Sequence, residues 1–200
     1  MRALLSITFA LVFTVGVFAQ EVTDPERLFE AGQFQRVIEV AQSAGDDPGS
    51  AYLAALSYQK LRQPDDAIRL FQQLAGRPAG DPWRLVGQSA TQLQAGQVAA
   101  AEQSARQAIA ADPNLPQAHY QLGLVLGHTQ DFGGAAAEFD AAKALDPDFA
   151  YAYYYAGLSY YRIGRIDLMA SNFETFLKRA PNAPDRGEVE SIMRTVRGRR

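Results

Sequence analysis

No cysteine occurs anywhere in the chain. That excludes a disulfide framework, a thiolate metal site and a thiol nucleophile together, and with them the lipid-attachment cysteine of a bacterial lipoprotein. Histidine is nearly as scarce, with two copies in 200 residues. An excess of basic charge is also missing. Lys and Arg number 19 against 22 Asp and Glu, a net charge of −3, whereas nucleic-acid-binding proteins usually carry a basic excess on one face. No nucleic-acid partner is expected. With 48% hydrophobic and 20% charged residues, the composition is that of an ordinary soluble protein, neither disordered nor collagenous.

Long apolar runs are lacking except at the start. Met1 and Arg2 give a short positive opening, and Ala3 to Phe18 carries no charge. Val17 and Ala19 supply small residues at minus three and minus one. This is the layout of a secretory signal peptide over 1–19, cut after Ala19. The expectation is an exported protein, periplasmic or extracellular. An alternative is an uncleaved N-terminal anchor helix, because sixteen apolar residues almost span a bilayer core. Without Arg2 the mature chain has 18 basic and 22 acidic residues, a net charge of −4.

What the rest of the chain does contain is a period. Pro113, Pro147 and Pro181 are evenly spaced, and the same interval separates Gly123 from Gly157. Stepping back from Gly123 by that interval gives Ser89 and then Ala55, both small. Ala67, Ala101, Ala135 and Met169 form another such series, and Phe71, Ala105, Phe139 and Phe173 a fourth. Independent series sharing one period mark a repeat architecture. The best unit runs from Pro116 to Pro147. It has Leu122-Gly123 and Leu126 on a first helix, Asp131-Phe132 at a turn, Ala135 and Phe139 on a second helix, and Leu145-Asp146-Pro147 at the exit. In the next, Tyr153, Ala156-Gly157, Tyr160, Gly164, Phe173 and Phe176 take the corresponding places.

On these residues the sequence resembles the tetratricopeptide repeat family, whose unit is two antiparallel helices in about 34 residues, the interval found here. The resemblance implies an all-α, right-handed superhelical solenoid of antiparallel helix hairpins. Its array covers 20–183, with a partial unit over 24–44 and units from 48, 82, 116 and 150. The unit from Pro82 places Gln88, Gln92 and Ala105 where larger apolar residues are usual, so its packing is the weakest expectation. Asp24-Pro25, Asp47-Pro48 and Asp81-Pro82 each combine a capping acid with proline at the first helical position. Gly32, Gly96 and Gly164 fall at turns where a left-handed residue closes the first helix. Repeat arrays need a polar outer cap. Residues 184–200 supply a capping helix and basic tail, with Val189, Ile192, Met193 and Val196 at helical spacing.

Chemistry is hard to place. His119 and His128 lie nine residues apart on one helix, so they point to opposite faces and cannot share a metal. The carboxylate pairs Asp46-Asp47 and Asp65-Asp66 sit at helix starts, where the dipole accounts for them. Gly133-Gly134 lacks the lysine and strand of a phosphate loop. The expectation is no enzyme, no catalytic residue, no metal and no cofactor.

The resemblance also implies that the first helices line a concave face used for binding. On the helix from Ala150, the stripe of Tyr153, Ala156, Gly157 and Tyr160 goes to repeat packing. A second stripe, Tyr151, Tyr154, Leu158 and Tyr161, remains. A helix apolar on both sides must bury the second against something. Tyr52, Leu56 and Lys60, then Trp83, Val86 and Ala90, then Tyr120, Leu124 and His128 extend the strip. Some members of the family hold a C-terminal carboxylate with asparagines along this face. Leu56, Ala90, Leu124 and Leu158 stand in those places here, which argues against such a clamp.

The expected function is a non-catalytic protein–protein interaction scaffold or adaptor for envelope or secretion complex assembly. Its apolar, tyrosine-lined groove would take an extended peptide or an amphipathic helix of another protein. The groove residues are Tyr52, Leu56, Trp83, Val86, Tyr120, Leu124, Tyr151, Tyr154, Leu158 and Tyr161. The alternative is a self-associating structural solenoid, a homodimer with no separate ligand, or a chain that covers these tyrosines itself. Arg186, Arg194, Arg197, Arg199 and Arg200 make the tail basic. They offset a helix dipole, and attraction to anionic lipid is the membrane-contact reading.

Overall fold

The computed structural model describes residues 24–198, which form eleven α-helices. The expected leader, its cleavage point after Ala19, and Arg199 and Arg200 lie outside the described residues. A short hairpin of α1 (Pro25–Glu30) and α2 (Phe34–Ser43) opens the array. Next come α3 (Pro48–Lys60) with α4 (Pro64–Ala75), and α5 (Pro82–Gln94) with α6 (Val98–Ala111). The last hairpins are α7 (Pro116–His128) with α8 (Phe132–Leu145), and α9 (Ala150–Arg162) with α10 (Ile166–Arg179). A single helix, α11 (Arg186–Arg197), follows. Each helix packs on its successor, and first helices also meet across hairpins, α1 on α3 and α5 on α7. The fold is an all-α solenoid of the tetratricopeptide kind.

Local chemistry sets the helix ends. The carboxylates of Asp24, Asp47 and Asp81 accept backbone N–H bonds from Glu26, Ser50 and Trp83, at 3.1, 2.8 and 2.9 Å. Each precedes a proline at the first helical position. Asp131 caps α8 in the same way through Gly134. The first helices of successive units end in one left-handed residue each, and these also keep the period: Arg62, Gly96, Gln130 and Gly164, with φ of 59°, 72°, 65° and 75°. Gly32 does this for α1 at φ 71°. It stands nearer to Arg62 than the period would put it, because α2 has 10 residues where α6 and α8 have 14, while the loop after it is no shorter than theirs.

Glycine and phenylalanine lock each hairpin. A Cβ on Gly123 would lie 2.7 Å from the Phe139 ring, and one on Gly157 would lie 2.5 Å from the Phe173 ring. The two glycines therefore occupy equivalent places, each facing the aromatic ring sixteen residues later. In the unit from Pro82, Ser89 and Ala105 replace this pair, and both are fully buried. There the close approach moves to Gly87, whose Cβ would meet the Phe71 carbonyl and Leu74 of α4 at 2.6 Å. The half-buried Gln92 side chain shares a 2.8 Å hydrogen bond with the Ser104 hydroxyl. This unit compensates for its small residues by pressing onto the hairpin before it.

Candidate functional site

The inner wall is built by α3, α5, α7 and α9, and here the expectation of an open strip needs correction. Tyr52, Leu56, Val86, Tyr120, Tyr151 and Tyr154 are buried, Tyr52 completely and Tyr151 to 1% exposure. The physical reason is that the array winds tightly enough to cover its own inner face. Tyr52 on α3 donates to Gln121 on α7 at 3.0 Å, across the intervening hairpin. The small residues of α5 on that wall, Val86 and Ala90, leave room for the contact. The ends of the array also meet. The rings of Phe29 on α1 and Tyr151 on α9 lie 5.0 Å apart, and Glu30 accepts the Ala150 backbone N–H at 3.1 Å. The two stripes on α9 are thus buried alike: Tyr151 and Tyr154 in one, Ala156 and Gly157 in the other, with the remaining members half-buried.

The segment after α10 completes the cover. Lys60 at the end of α3 bonds both oxygens of Asp185, at 3.1 and 3.2 Å. Tyr151 donates its hydroxyl to Asp185 at 2.6 Å, and Tyr154 donates to Glu188 at 3.0 Å. The Lys60 ammonium also lies over the Tyr151 and Tyr154 rings, 4.8 and 5.8 Å from their centroids, a cation–π arrangement. Burial, and then the neighbouring Asp185 carboxylate, push both tyrosine hydroxyls far above their ordinary range. They act as permanent donors.

Four strip residues keep partial exposure: Trp83, Leu124, Leu158 and Tyr161. The structure brings three of them together. Leu124, Leu158 and Tyr161 line a pocket of about 420 Å³, with Phe132, Tyr155 and Ile192 among its other walls. Arg162 borders it and sits over the Phe132 ring, 5.2 Å from the centroid. Burial pushes the Tyr155 hydroxyl up to about 12. Trp83 is apart, packed on Tyr52 at 5.9 Å. Sequence reasoning missed Phe132, Arg162 and Ile192, because they come from the hairpin turns and from α11. Only the helical spacing of Ile192 hinted at a buried face.

The two histidines stand in different surroundings. His119 is half-buried, with Nδ1 2.8 Å from Glu138 and Nε2 3.3 Å from the Pro113 carbonyl, and His128 is exposed. Among the described residues no group of three His, Asp or Glu side chains is placed to hold a metal ion. No helix among them is long and apolar enough to cross a membrane.

The family model for the tetratricopeptide repeat matches residues 52–116, 86–148 and 120–184. Successive matches begin one period apart, at the interval of the glycine and phenylalanine series. Solved structures share the architecture. The thermophilic TPR protein TTC0263 of Thermus thermophilus is 21% identical, with 84% of this chain and 96% of that one covered and a TM-score of 0.59. The first TPR of Spaghetti (RPAP3), bound to the HSP90 peptide SRMEEVD, is 17% identical over 60% of this chain and 94% of its own, with a TM-score of 0.56. MamA is 20% identical over 80% and 94%, with a TM-score of 0.50.

Proposed function

The chain belongs to the tetratricopeptide repeat family, and we propose that it is a non-catalytic scaffold whose inner wall holds a polypeptide of another protein. The observation that carries this is the pocket of Leu124, Leu158 and Tyr161. It is an apolar hollow with polar edges in a wall whose other groove residues, Trp83 apart, are buried. Apolar side chains gathered in a hollow, with tyrosine and arginine at its edge, are the composition of an interface that is wet when free and dry when bound. Peptide binding by a solved array of the same fold supports the reading. The apolar run Ala3–Phe18 supports a setting outside the cytoplasm, in envelope or secretion complex assembly.

A photoreactive residue at Leu124 should cross-link one partner in intact cells, and the same residue at the exposed Gln73 on α4 should not. Leu158→Glu should abolish that cross-link while leaving the helix content and the midpoint of thermal unfolding within a few degrees. Equal capture from both positions would sink the scaffold reading. Self-association through the same pocket is the second reading, supported by its apolar lining. Light scattering separates the two: a stable monomer favours the scaffold, and a dimer that Leu158→Glu dissociates favours self-association.

A further inference from the structure

We propose that the start of α11 is an internal ligand: Asp185 and Glu188 occupy a site for acidic polypeptide made by Lys60, Tyr151 and Tyr154, and a partner segment with two carboxylates at that spacing displaces them. The inference rests on the reading that the inner wall holds a polypeptide, and it names the chemistry that opens the wall.

The use made of Asp185 is the first ground. It stands at the N-cap of α11, yet its side chain makes no capping bond to that helix. Asp24, Asp47, Asp81 and Asp131, at the N-caps of their helices, all make one. The Asp185 carboxylate instead serves Lys60, 125 residues away, and Tyr151. The second ground is the receiving site. Lys60 and Asp185 side chains are 25% and 16% exposed, so the pair is only partly screened by water. The cation rests on two aromatic rings, and the two hydroxyls point at the same acidic segment. These are fixed donors that would still face the wall's opening if the segment left.

The third ground is the light anchorage of α11. It buries only Val189 and Met193, with Ile192 and Val196 half-buried, and such an element opens locally at low cost. Asp185 and Glu188 lie three residues apart on one helical face. An incoming helix with the same spacing presents the same pair. It also meets the pocket beyond, because Glu188 and Ile192 border that hollow. The site differs from a clamp for a chain terminus, since side-chain carboxylates satisfy it. A tethered segment competes at millimolar effective concentration, so an outside peptide binds the closed chain weakly.

The probe is a fluorescent synthetic peptide with the sequence of residues 182–193, titrated into the full chain. Asp185→Asn with Glu188→Gln should raise its affinity at least tenfold over the unsubstituted protein. Adding Lys60→Met should return it to the starting value, and a peptide carrying both neutral substitutions should not bind. Equal affinity with and without the double substitution, or indifference to Lys60→Met, overturns the proposal. Should the double variant unfold, Tyr151→Phe removes one hydroxyl and keeps the ring. Amide exchange in α11 should then quicken while α7 and α8 stay protected, and unchanged exchange in α11 overturns the proposal equally. Cross-linking at Leu124 is unaffected by these outcomes, so the scaffold reading stands or falls separately.

Discussion

Glycine at positions 123 and 157 shows how single atoms decide the packing of each hairpin. Ring atoms of Phe139 and Phe173 lie where a Cβ would go, so any larger side chain forces the two helices apart. Gly157→Val should lower stability by about 2 kcal/mol, in the range for overpacking a core. Gly127, on the same helix as Gly123, has open space around the place a Cβ would take, with nothing within 4 Å. There the conformational entropy of glycine is the only consideration, and Gly127→Ala should raise stability by about 0.5–1 kcal/mol. Denaturant midpoints for the pair check both signs. Much at this scale is legible in the sequence, since a small residue sixteen before an aromatic is a local pattern that the period repeats. The left-handed Arg62 and Gln130 are not legible. Neither residue type announces such a turn, and only their alignment with Gly96 and Gly164 reveals it.

At the scale of the helix, an aspartate next in sequence caps α1, α3, α5 and α8, whereas α9 takes its acceptor from elsewhere in the chain. Its N-cap is Phe149, which offers no side-chain acceptor. The first donor, Ala150 N–H, is satisfied instead by Glu30 of α1. Aspartate and proline before a helix are readable from sequence, whereas an acceptor delivered from 120 residues away is not. Burial pushes the Glu30 carboxyl up to about 7, and the Ala150 N–H bond only partly offsets this. A carboxyl whose folded value exceeds its unfolded value of about 4.5 favours folding fully below that lower value. The contribution is lost as pH rises from there through about 7. Thermal unfolding should therefore occur at higher temperature at pH 5 than at pH 8. Glu30→Gln keeps an acceptor for Ala150 and should flatten the dependence over that window. A variant with the same pH slope as the unsubstituted protein would rule out Glu30 as its source.

For the whole molecule, the governing fact is that the first hairpin meets the last. Stability in an open array is a sum of neighbour terms, and its ends fray first. Here α1 is held by Tyr151, and Gly32 lies against Pro184, so the terminal hairpins support each other. Phe29→Ala should cost about 3–5 kcal/mol, as for other buried aromatics. It should also quicken amide exchange in α9 as well as α1, and a loss of protection confined to α1 and α2 would count against closure. None of this is legible in the chain's one-dimensional pattern. The period defines the unit and its neighbours, but the meeting of Phe29 with Tyr151 depends on small rotations accumulated over several units, which no single residue encodes. Helical spacing does mark the strip tyrosines as a second apolar face, and what covers Tyr151 and Tyr154 is the chain's own two ends. Closure also makes the array count. Duplication or loss of one hairpin, the usual way repeat proteins change length, would carry Glu30 past or short of Ala150 and leave both ends without a mate. Evolution by unit gain, open to most solenoids, is barred to this one unless it also rewrites its two ends.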